Sequence, residues 1–179
     1  MPSAHDILNF WFEEAGPQRW FKRCASFDNL CRERFGDLLD AAARGECWEW
    51  RRTPRGRCAE IIVLDQLSRN LFRDSPRAFA QDPMALTLAQ ELVARGDDRR
   101  LSPEQRYFSY MPYMHSESPL VQGESVRLFT DLGNAEALRY AIAHRDVIGE
   151  FGRYPGRNAA LGRESTPAEA RYLATHGGF

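Results

Sequence analysis

The chain has 179 residues, of which 43% are hydrophobic and 27% are charged, a composition that excludes disorder and allows a buried core. Its formal net charge is −1, which excludes the strong positive charge by which many proteins bind nucleic acids or anionic membranes. We expect one domain over residues 1–179, with neither nucleic acid nor membrane as a partner.

The sequence contains no targeting or membrane segment that we can identify. No stretch combines a basic start with the apolar core of a secretion signal, and none approaches the roughly 20 apolar residues of a membrane span. The 4 cysteines form no C-x-x-C pair and precede no histidines at zinc-finger spacing. We therefore expect a cytoplasmic protein with reduced thiols.

Apolar residues recur with helical spacing along the chain, and no segment has the alternation of a strand. Ser102 with Gln105 and Thr166 with Glu169 have the spacing of capping boxes, and Asp82 is predicted to be an N-cap residue. The pattern predicts helices near residues 4–14, 27–44, 54–72, 83–95, 103–115, 119–132, 135–151 and 167–174, with a short turn from Cys47 to Arg51. Because the connections are short, we expect an all-α fold of antiparallel helical hairpins.

A first polar cluster lies in the second half of the predicted helix 54–72. Asp65, Arg69 and Arg73 follow one another at four-residue steps, so they form a column on one helix face, with Gln66 beside it. The other side of this helix is apolar and is expected to pack on the core. The column is either a solvated face with a simple ion pair or a set of charges that a binding site uses.

Two histidines lie within apolar stripes of predicted helices. His115 shares a side with Phe108, and His144 lies at the centre of the stripe of helix 135–151. A histidine in such a place is commonly a hydrogen-bonded core residue. The alternatives are an acid–base pair with Glu117, or a metal site that also uses Asp65. Since no metal-binding motif is present, we predict neither a metal nor a cofactor.

A third polar cluster follows helix 135–151. The loop carries Arg153, Arg157 and Asn158, and its Arg-Asn pair repeats that of Arg69 and Asn70. Guanidinium groups present a planar fork of donors that matches carboxylate and phosphate groups. The sequence has no nucleophile elbow, phosphate loop or dinucleotide-binding motif. The remaining arginines, amides and histidines favour recognition of an anion.

Several segments in a fixed order, spanning nearly the whole chain, carry a resemblance to a known family. They are Ile7 to Phe12, Trp20-Phe21, Asp65-Gln66, Arg69 to Arg73, His115 to Glu117, His144 to Ile148, Phe151 to Pro155, Arg157-Asn158 and Leu161 to Thr166. Together they resemble the bacterial domain-of-unknown-function family 924. The resemblance implies an all-helical fold like that of tetratricopeptide-repeat domains, and it implies no established activity.

The chain departs from that family pattern at two positions. Ser68 stands where the pattern usually has proline, and Gly156 stands where it usually has histidine. The resemblance therefore does not support any mechanism that needs a histidine at position 156. Both Arg-Asn pairs are intact.

Three hypotheses follow for the function. The favoured one is a helical binding module with a pocket for a small anionic or polar ligand or a peptide. The second is a hydrolase-type enzyme in which His115 or His144 acts with Glu117. The third is a structural or protein-interaction domain whose ion pairs tie helices together. The candidate ligand-binding residues are Asp65, Gln66, Arg69, Asn70, Arg73, His115, Glu117, His144, Arg145, Arg153, Arg157 and Asn158.

Overall fold

A computed structural model of the chain describes residues 1–178. Within this range the regular structure is entirely helical, without a strand. The α-helical segments are α1 (Ala4–Asn9), α2 (Pro17–Trp20), α3 (Ala25–Ala43), α4 (Pro54–Ile61), α5 (Ser68–Leu71), α6 (Asp82–Ala94), α7 (Pro103–Met114), α8 (Pro119–Leu132), α9 (Ala135–Phe151), α10 (Asn158–Leu161) and α11 (Pro167–His176). The predicted all-α class is confirmed.

Shorter helical turns extend or join these segments. π-Helical turns continue α1 and connect α4 to α5, and 3₁₀ turns lie in four of the loops. The π-helical turns are Phe10–Ala15 and Ile62–Leu67, and the 3₁₀ turns are Trp48–Arg52, Pro76–Ala78, Asp97–Arg100 and Pro155–Arg157. The π-helical turn between α4 and α5 was not foreseen from the sequence.

Local capping chemistry sets the starts of five of the α-helices, α1, α4, α7, α9 and α11. The side chain of Ser102 accepts a hydrogen bond from the backbone N–H of Gln105, and Thr166 accepts one from Glu169, so both predicted capping boxes are confirmed. The prediction for Asp82 was wrong. Gln81 occupies the N-cap position of α6, and Asp82 is the first residue of the helix. Its carboxylate is bonded to another helix instead.

The segment from α4 to α5 runs through the middle of the molecule. Every residue from Gly56 to Ser68 is buried, and α4 packs against α1, α6 and α7. A helix that is enclosed on all sides must satisfy its polar groups internally. Glu60, which is fully buried, does so by a two-point ion pair with Arg51 at 2.6 and 2.7 Å.

The second half of the chain is arranged more serially. Helix α6 contacts α7, α7 contacts α8, and α8 contacts α9, as expected for consecutive hairpins. The stacking of a tetratricopeptide-repeat array stays a prediction, since α4 contacts helices on several sides. A large apolar core joins residues from α1 to α9, and a smaller cluster forms around Val147, Ile148 and Tyr154.

The membrane character of the helices and the state of the cysteines were both expected from the sequence and can be compared with the structure. Among residues 1–178, no helix combines the length and the apolar character that crossing a bilayer requires. The cysteines are unpaired, and Cys31, Cys47 and Cys58 are buried. Burial raises the pKa of Cys58 to about 12, so this thiol stays protonated.

Candidate functional site

Three distant parts of the sequence meet at one cleft of about 740 Å³. The first part is the end of the central helix, with Arg69 and Arg73. The second is His115, which follows the last residue of α7, and the third is α9 with the loop after it, which contribute His144 and Arg157. A smaller cavity of about 140 Å³ is lined by Gln66 and Asn70 and shares Arg69, Arg73 and His115 with the cleft. The structure therefore brings the Asp65–Arg73 column and the Arg157 loop to one place.

Asp65 lies directly beneath the cleft and is fully buried. Its Oδ1 is 2.7 Å from His115 Nδ1, and its Oδ2 accepts a hydrogen bond of 2.6 Å from Gln66 Nε2. Burial raises the pKa of this carboxyl, but the charge of Arg69 and the hydrogen bonds with His115 and Gln66 outweigh burial and hold the pKa below its ordinary value. Asp65 is therefore ionised at neutral pH.

The ionised Asp65 fixes the tautomer of His115. A carboxylate only accepts hydrogen bonds, so the hydrogen between the two groups belongs to His115 Nδ1. Burial and the charge of Arg69 lower the pKa of His115, although Asp65 opposes them. The ring is thus neutral at neutral pH, with its lone pair on Nε2. This atom makes no hydrogen bond to any residue from 1 to 178, and the ring lines both cavities.

Asp82 connects two of the arginines. Arg69 donates to both of its oxygens, at 2.7 and 2.9 Å, in the fork geometry typical of strong arginine–carboxylate pairs. Nη1 of Arg157 lies farther from the same carboxylate, 3.5 Å from Asp82 Oδ2. Nη2 of Arg157 donates to the backbone oxygen of His115 at 2.7 Å. Asp82 therefore neutralises Arg69 closely and Arg157 incompletely.

Aromatic rings hold the two guanidinium groups in place. Arg69 and Arg157 lie 5.4 and 4.7 Å from the centre of the Phe79 ring, and Arg157 also lies 4.6 Å from the centre of the Tyr154 ring. Cation–π contacts of this kind stabilise a positive charge where water is scarce. Burial and the repulsion from Arg69 nevertheless lower the pKa of Arg157. The role of Phe79 was not predicted from the sequence.

Arg73 and Asn70 share a partner on α3. Arg73 Nη2 and Asn70 Nδ2 donate to Asp28 Oδ1 at 2.9 and 2.8 Å. Burial raises the pKa of Asp28, but these partners outweigh that effect and the pKa lies below its ordinary value. These bonds join the end of the central helix to α3. Asn70 does not line the larger cleft, but it shares the carboxylate that holds Arg73, which does.

A known bacterial family matches nearly the whole length of the chain. The model of a family described as "Bacterial protein of unknown function (DUF924)" matches residues 7–177. The chain belongs to this family. It is similar to the solved structure of a protein of unknown function from Agrobacterium tumefaciens, with 40% identity, 95% of this chain and 96% of that chain covered, and a TM-score of 0.90. A comparison with curated proteins finds no match.

Membership of DUF924 thus establishes the fold and leaves the activity to be inferred from the site. The two positions at which the resemblance suggested departures, Ser68 and Gly156, have different surroundings in the structure. Gly156 lines the cleft, whereas Ser68 is buried and its hydroxyl makes no hydrogen bond within residues 1–178. Of the two residues, only Gly156 lies on the surface of the cleft.

Two candidate residues serve to anchor the chain after α9. Arg153 forms a two-point ion pair with Glu169, at 2.7 and 2.9 Å. Asn158 is almost fully buried, and its amide lies between Glu169 and Arg163. Neither residue lines the cleft. Glu169 also closes the capping box of α11, so one carboxylate ties this helix to the loop.

The carboxylate of Glu117 is bonded to an arginine and a backbone N–H, and its acid–base role stays a prediction. Its carboxylate accepts two hydrogen bonds from Arg163, at 2.8 and 2.9 Å, and a third from the backbone N–H of Tyr154 at 2.8 Å. These partners hold Glu117 to the loop after α9. The carboxylate that meets His115 is Asp65, for which the sequence suggested ligand binding or a metal site rather than a pair with this histidine alone.

Arg145 and His144 are neighbours in sequence with very different surroundings. Arg145 is exposed and pairs with the adjacent Asp146 at 2.7 and 2.9 Å. His144 is buried, as predicted, and its Nδ1 donates to the backbone oxygen of Tyr140 at 2.7 Å. Burial lowers the pKa of His144 to about 3, so it is neutral in the folded chain.

The charge pattern of the cleft opposes a metal ion. Residues 1–178 contain no group of three or more histidine, cysteine, aspartate or glutamate side chains that could hold one. The rings of His115 and His144 are 6.4 Å apart between centroids, but Arg69 and Arg157 stand beside them. Guanidinium groups repel a cation and attract an anion.

Proposed function

We propose that this chain is a helical binding module that holds a small anionic ligand, bearing a carboxylate or phosphate group, in the cleft at Arg157. The carrying observation is the incomplete pairing of this guanidinium. Among residues 1–178, its carboxylate partner is Asp82, at 3.5 Å, and Arg69 already engages that carboxylate at 2.7 and 2.9 Å. A charge this poorly neutralised, on the wall of a cleft, is suited to an external anion.

The contrast with the other arginines gives this proposal its specificity. Arg69 and Arg73 are each held by two hydrogen bonds to one carboxylate, so they have less to offer a ligand. Arg157 uses one terminal nitrogen on a backbone oxygen, and its Nε makes no hydrogen bond within residues 1–178. It can therefore offer donors to an anion without losing its existing contacts.

The size and lining of the cleft favour a small molecule over a long peptide. A volume of about 740 Å³ falls in the range of small-ligand pockets, which is about 300–1,000 Å³. Phe21 and Phe79 provide apolar surface beside the arginines and histidines. We place this module in the cytoplasm, where unpaired cysteines are the rule, and we regard tetratricopeptide-like hairpin stacking as its scaffold.

Isothermal titration calorimetry with inorganic phosphate, pyrophosphate and succinate tests the proposal. We expect at least one of these anions to bind the wild-type chain. Charge-assisted hydrogen bonds contribute about 1.5–3 kcal/mol each, so Arg157→Gln should weaken binding at least tenfold. Arg145→Gln is the matched control, because Arg145 is exposed outside the cleft, and it should bind like wild type.

Two results would contradict the proposal. One is that none of the three anions binds the wild-type chain. The other is that Arg157→Gln, with a circular dichroism spectrum and an unfolding transition like those of wild type, binds as tightly as Arg145→Gln. In that case the ion pairs around Arg157 would serve to join helices.

A further inference from the structure

The cleft contains an arrangement that anion binding alone does not require. His115 donates from Nδ1 to the buried carboxylate of Asp65 at 2.7 Å, and Nε2 makes no hydrogen bond to any residue from 1 to 178. A carboxylate in this position fixes the tautomer, orients the ring and stabilises the imidazolium that forms when Nε2 takes a proton. His115 is therefore prepared to act as a base on the cleft side.

The other groups near the cleft are less suited to this role. Nδ1 of His144 donates to the backbone oxygen of Tyr140, so this ring does not use Nδ1 on a buried carboxylate as His115 does. Glu117 is held by Arg163. Of the hydroxyl-bearing residues, Ser165 lines the cleft, but it accepts a hydrogen bond from Asn158 and is paired with no histidine. Water is thus the nucleophile that His115 can activate.

We infer that the cleft hydrolyses a small carboxylic ester whose acyl portion carries a second, anionic group. The inference rests on the proposed anion site, with Arg157 holding the anionic group and His115 acting as the catalytic base. An acyl ester fits better than a phosphate ester, because phosphoryl transfer passes through a loose transition state that gains little from a base. Attack of water on an acyl carbon gains more from one.

The step can be written in full. His115 Nε2 takes a proton from water as the water oxygen bonds to the acyl carbon, and the carbonyl electrons move to oxygen to give a tetrahedral oxyanion. The oxyanion collapses, the bond to the leaving alcohol oxygen breaks, and the proton on Nε2 passes to that oxygen. The products are the dianionic acid, one released proton at neutral pH, and the alcohol, and His115 returns to its neutral form. Asp65 is a positioning residue in this sequence, because it acts through His115.

Hydrolysis of mono-4-nitrophenyl succinate, with neutral 4-nitrophenyl acetate as the comparison ester, tests the inference. General acid–base catalysis contributes roughly 10²–10⁴-fold, so His115→Gln should lower kcat for the succinate ester at least 100-fold. Arg157→Gln should raise KM for that ester at least tenfold and should change KM for the acetate ester by a smaller factor. His5→Gln, at an exposed position of α1, is the matched control and should behave like wild type.

A pH profile of the wild-type chain separates a base from a structural histidine and needs no variant to fold. Because burial and Arg69 lower the pKa of His115, the fall of kcat/KM at low pH should have its midpoint below 6.5, the ordinary pKa of histidine. Asp65→Asn should lower kcat more than it changes KM. A midpoint at or above pH 6.5 in the wild-type chain, or an unchanged kcat in folded His115→Gln, would overturn the inference.

Failure of the inference can be distinguished from failure of the proposed function. If succinate binds in calorimetry but the wild-type chain does not accelerate hydrolysis of its 4-nitrophenyl ester above the buffer rate, the catalytic inference is wrong and the anion site stands. If succinate, phosphate and pyrophosphate do not bind and the ester is not hydrolysed, both are wrong.

Discussion

Replacing Arg69 with methionine removes the link between the central helix and α6 while keeping the length of the side chain. Arg69 donates to the backbone oxygen of Asp65 at 2.8 Å and holds both oxygens of Asp82 at 2.7 and 2.9 Å. Methionine can pack in the same space but can donate to none of these acceptors. The variant therefore leaves two carboxylates that have lost a positive partner.

The cost of Arg69→Met follows from the burial of these groups. Removing one partner of a buried ion pair costs about 3–5 kcal/mol, because the remaining charge stays uncompensated. Asp65 keeps its bonds from His115 and Gln66, and Asp82 keeps Arg157 at 3.5 Å. We therefore expect a value near the lower end, about 3 kcal/mol. For a chain of this size, this corresponds to a fall in Tm of about 6–12 °C.

Urea unfolding followed by far-ultraviolet circular dichroism measures this change. Arg145→Met is the control, since this exposed side chain pairs only with the adjacent Asp146, and it should change stability by less than about 0.5 kcal/mol. A loss below about 1 kcal/mol in Arg69→Met would show that Arg69 is not a structural link.

Two matched pairs of variants test other parts of the structure. A Cβ atom at Gly56 would lie 2.1 Å from the backbone oxygen of Trp50, so Gly56→Ala should destabilise the chain by about 3 kcal/mol; Gly36→Ala, with nothing within 4 Å, should stabilise α3 by about 0.5–1 kcal/mol in the same urea assay. Equal effects of the two glycine changes would contradict the packing of α4. Because burial lowers the pKa of His144 to about 3, its contribution to stability is complete above its unfolded pKa of about 6.5 and is lost toward pH 3, by up to about 1.4 kcal/mol per pH unit. His144→Gln should flatten the dependence of unfolding free energy on pH between 4 and 7, whereas His5→Gln should keep the wild-type slope; equal slopes in all three chains would refute the burial of a neutral His144.

Local signals made the helices predictable from the sequence. A capping box such as Ser102 with Gln105 acts within one helical turn, so its residues determine the start of α7 without reference to the rest of the chain. Burial of His144 was likewise predictable from the apolar stripe around it. Both inferences need only the spacing of residues within a single helix.

The partners of the polar residues were not predictable in this way. Asp28 lies 45 residues from Arg73 in the chain, and Asp82 lies 75 residues from Arg157, so only the tertiary fold brings them together. Asp82 also had a plausible local role as an N-cap residue, which hid its contact with Arg69. Arg153 resembles Arg157 in its sequence context, yet only Arg157 lines the cleft.

Diffraction from crystals equilibrated with tungstate, an anomalous scatterer that resembles phosphate, tests most directly whether Arg157 lies in an anion-binding cleft. The account predicts an anomalous peak within hydrogen-bonding distance of the Arg157 guanidinium in wild-type crystals, and no such peak in crystals of Arg157→Gln. Tungstate bound only at exposed arginines such as Arg145, with none in the cleft, would contradict it.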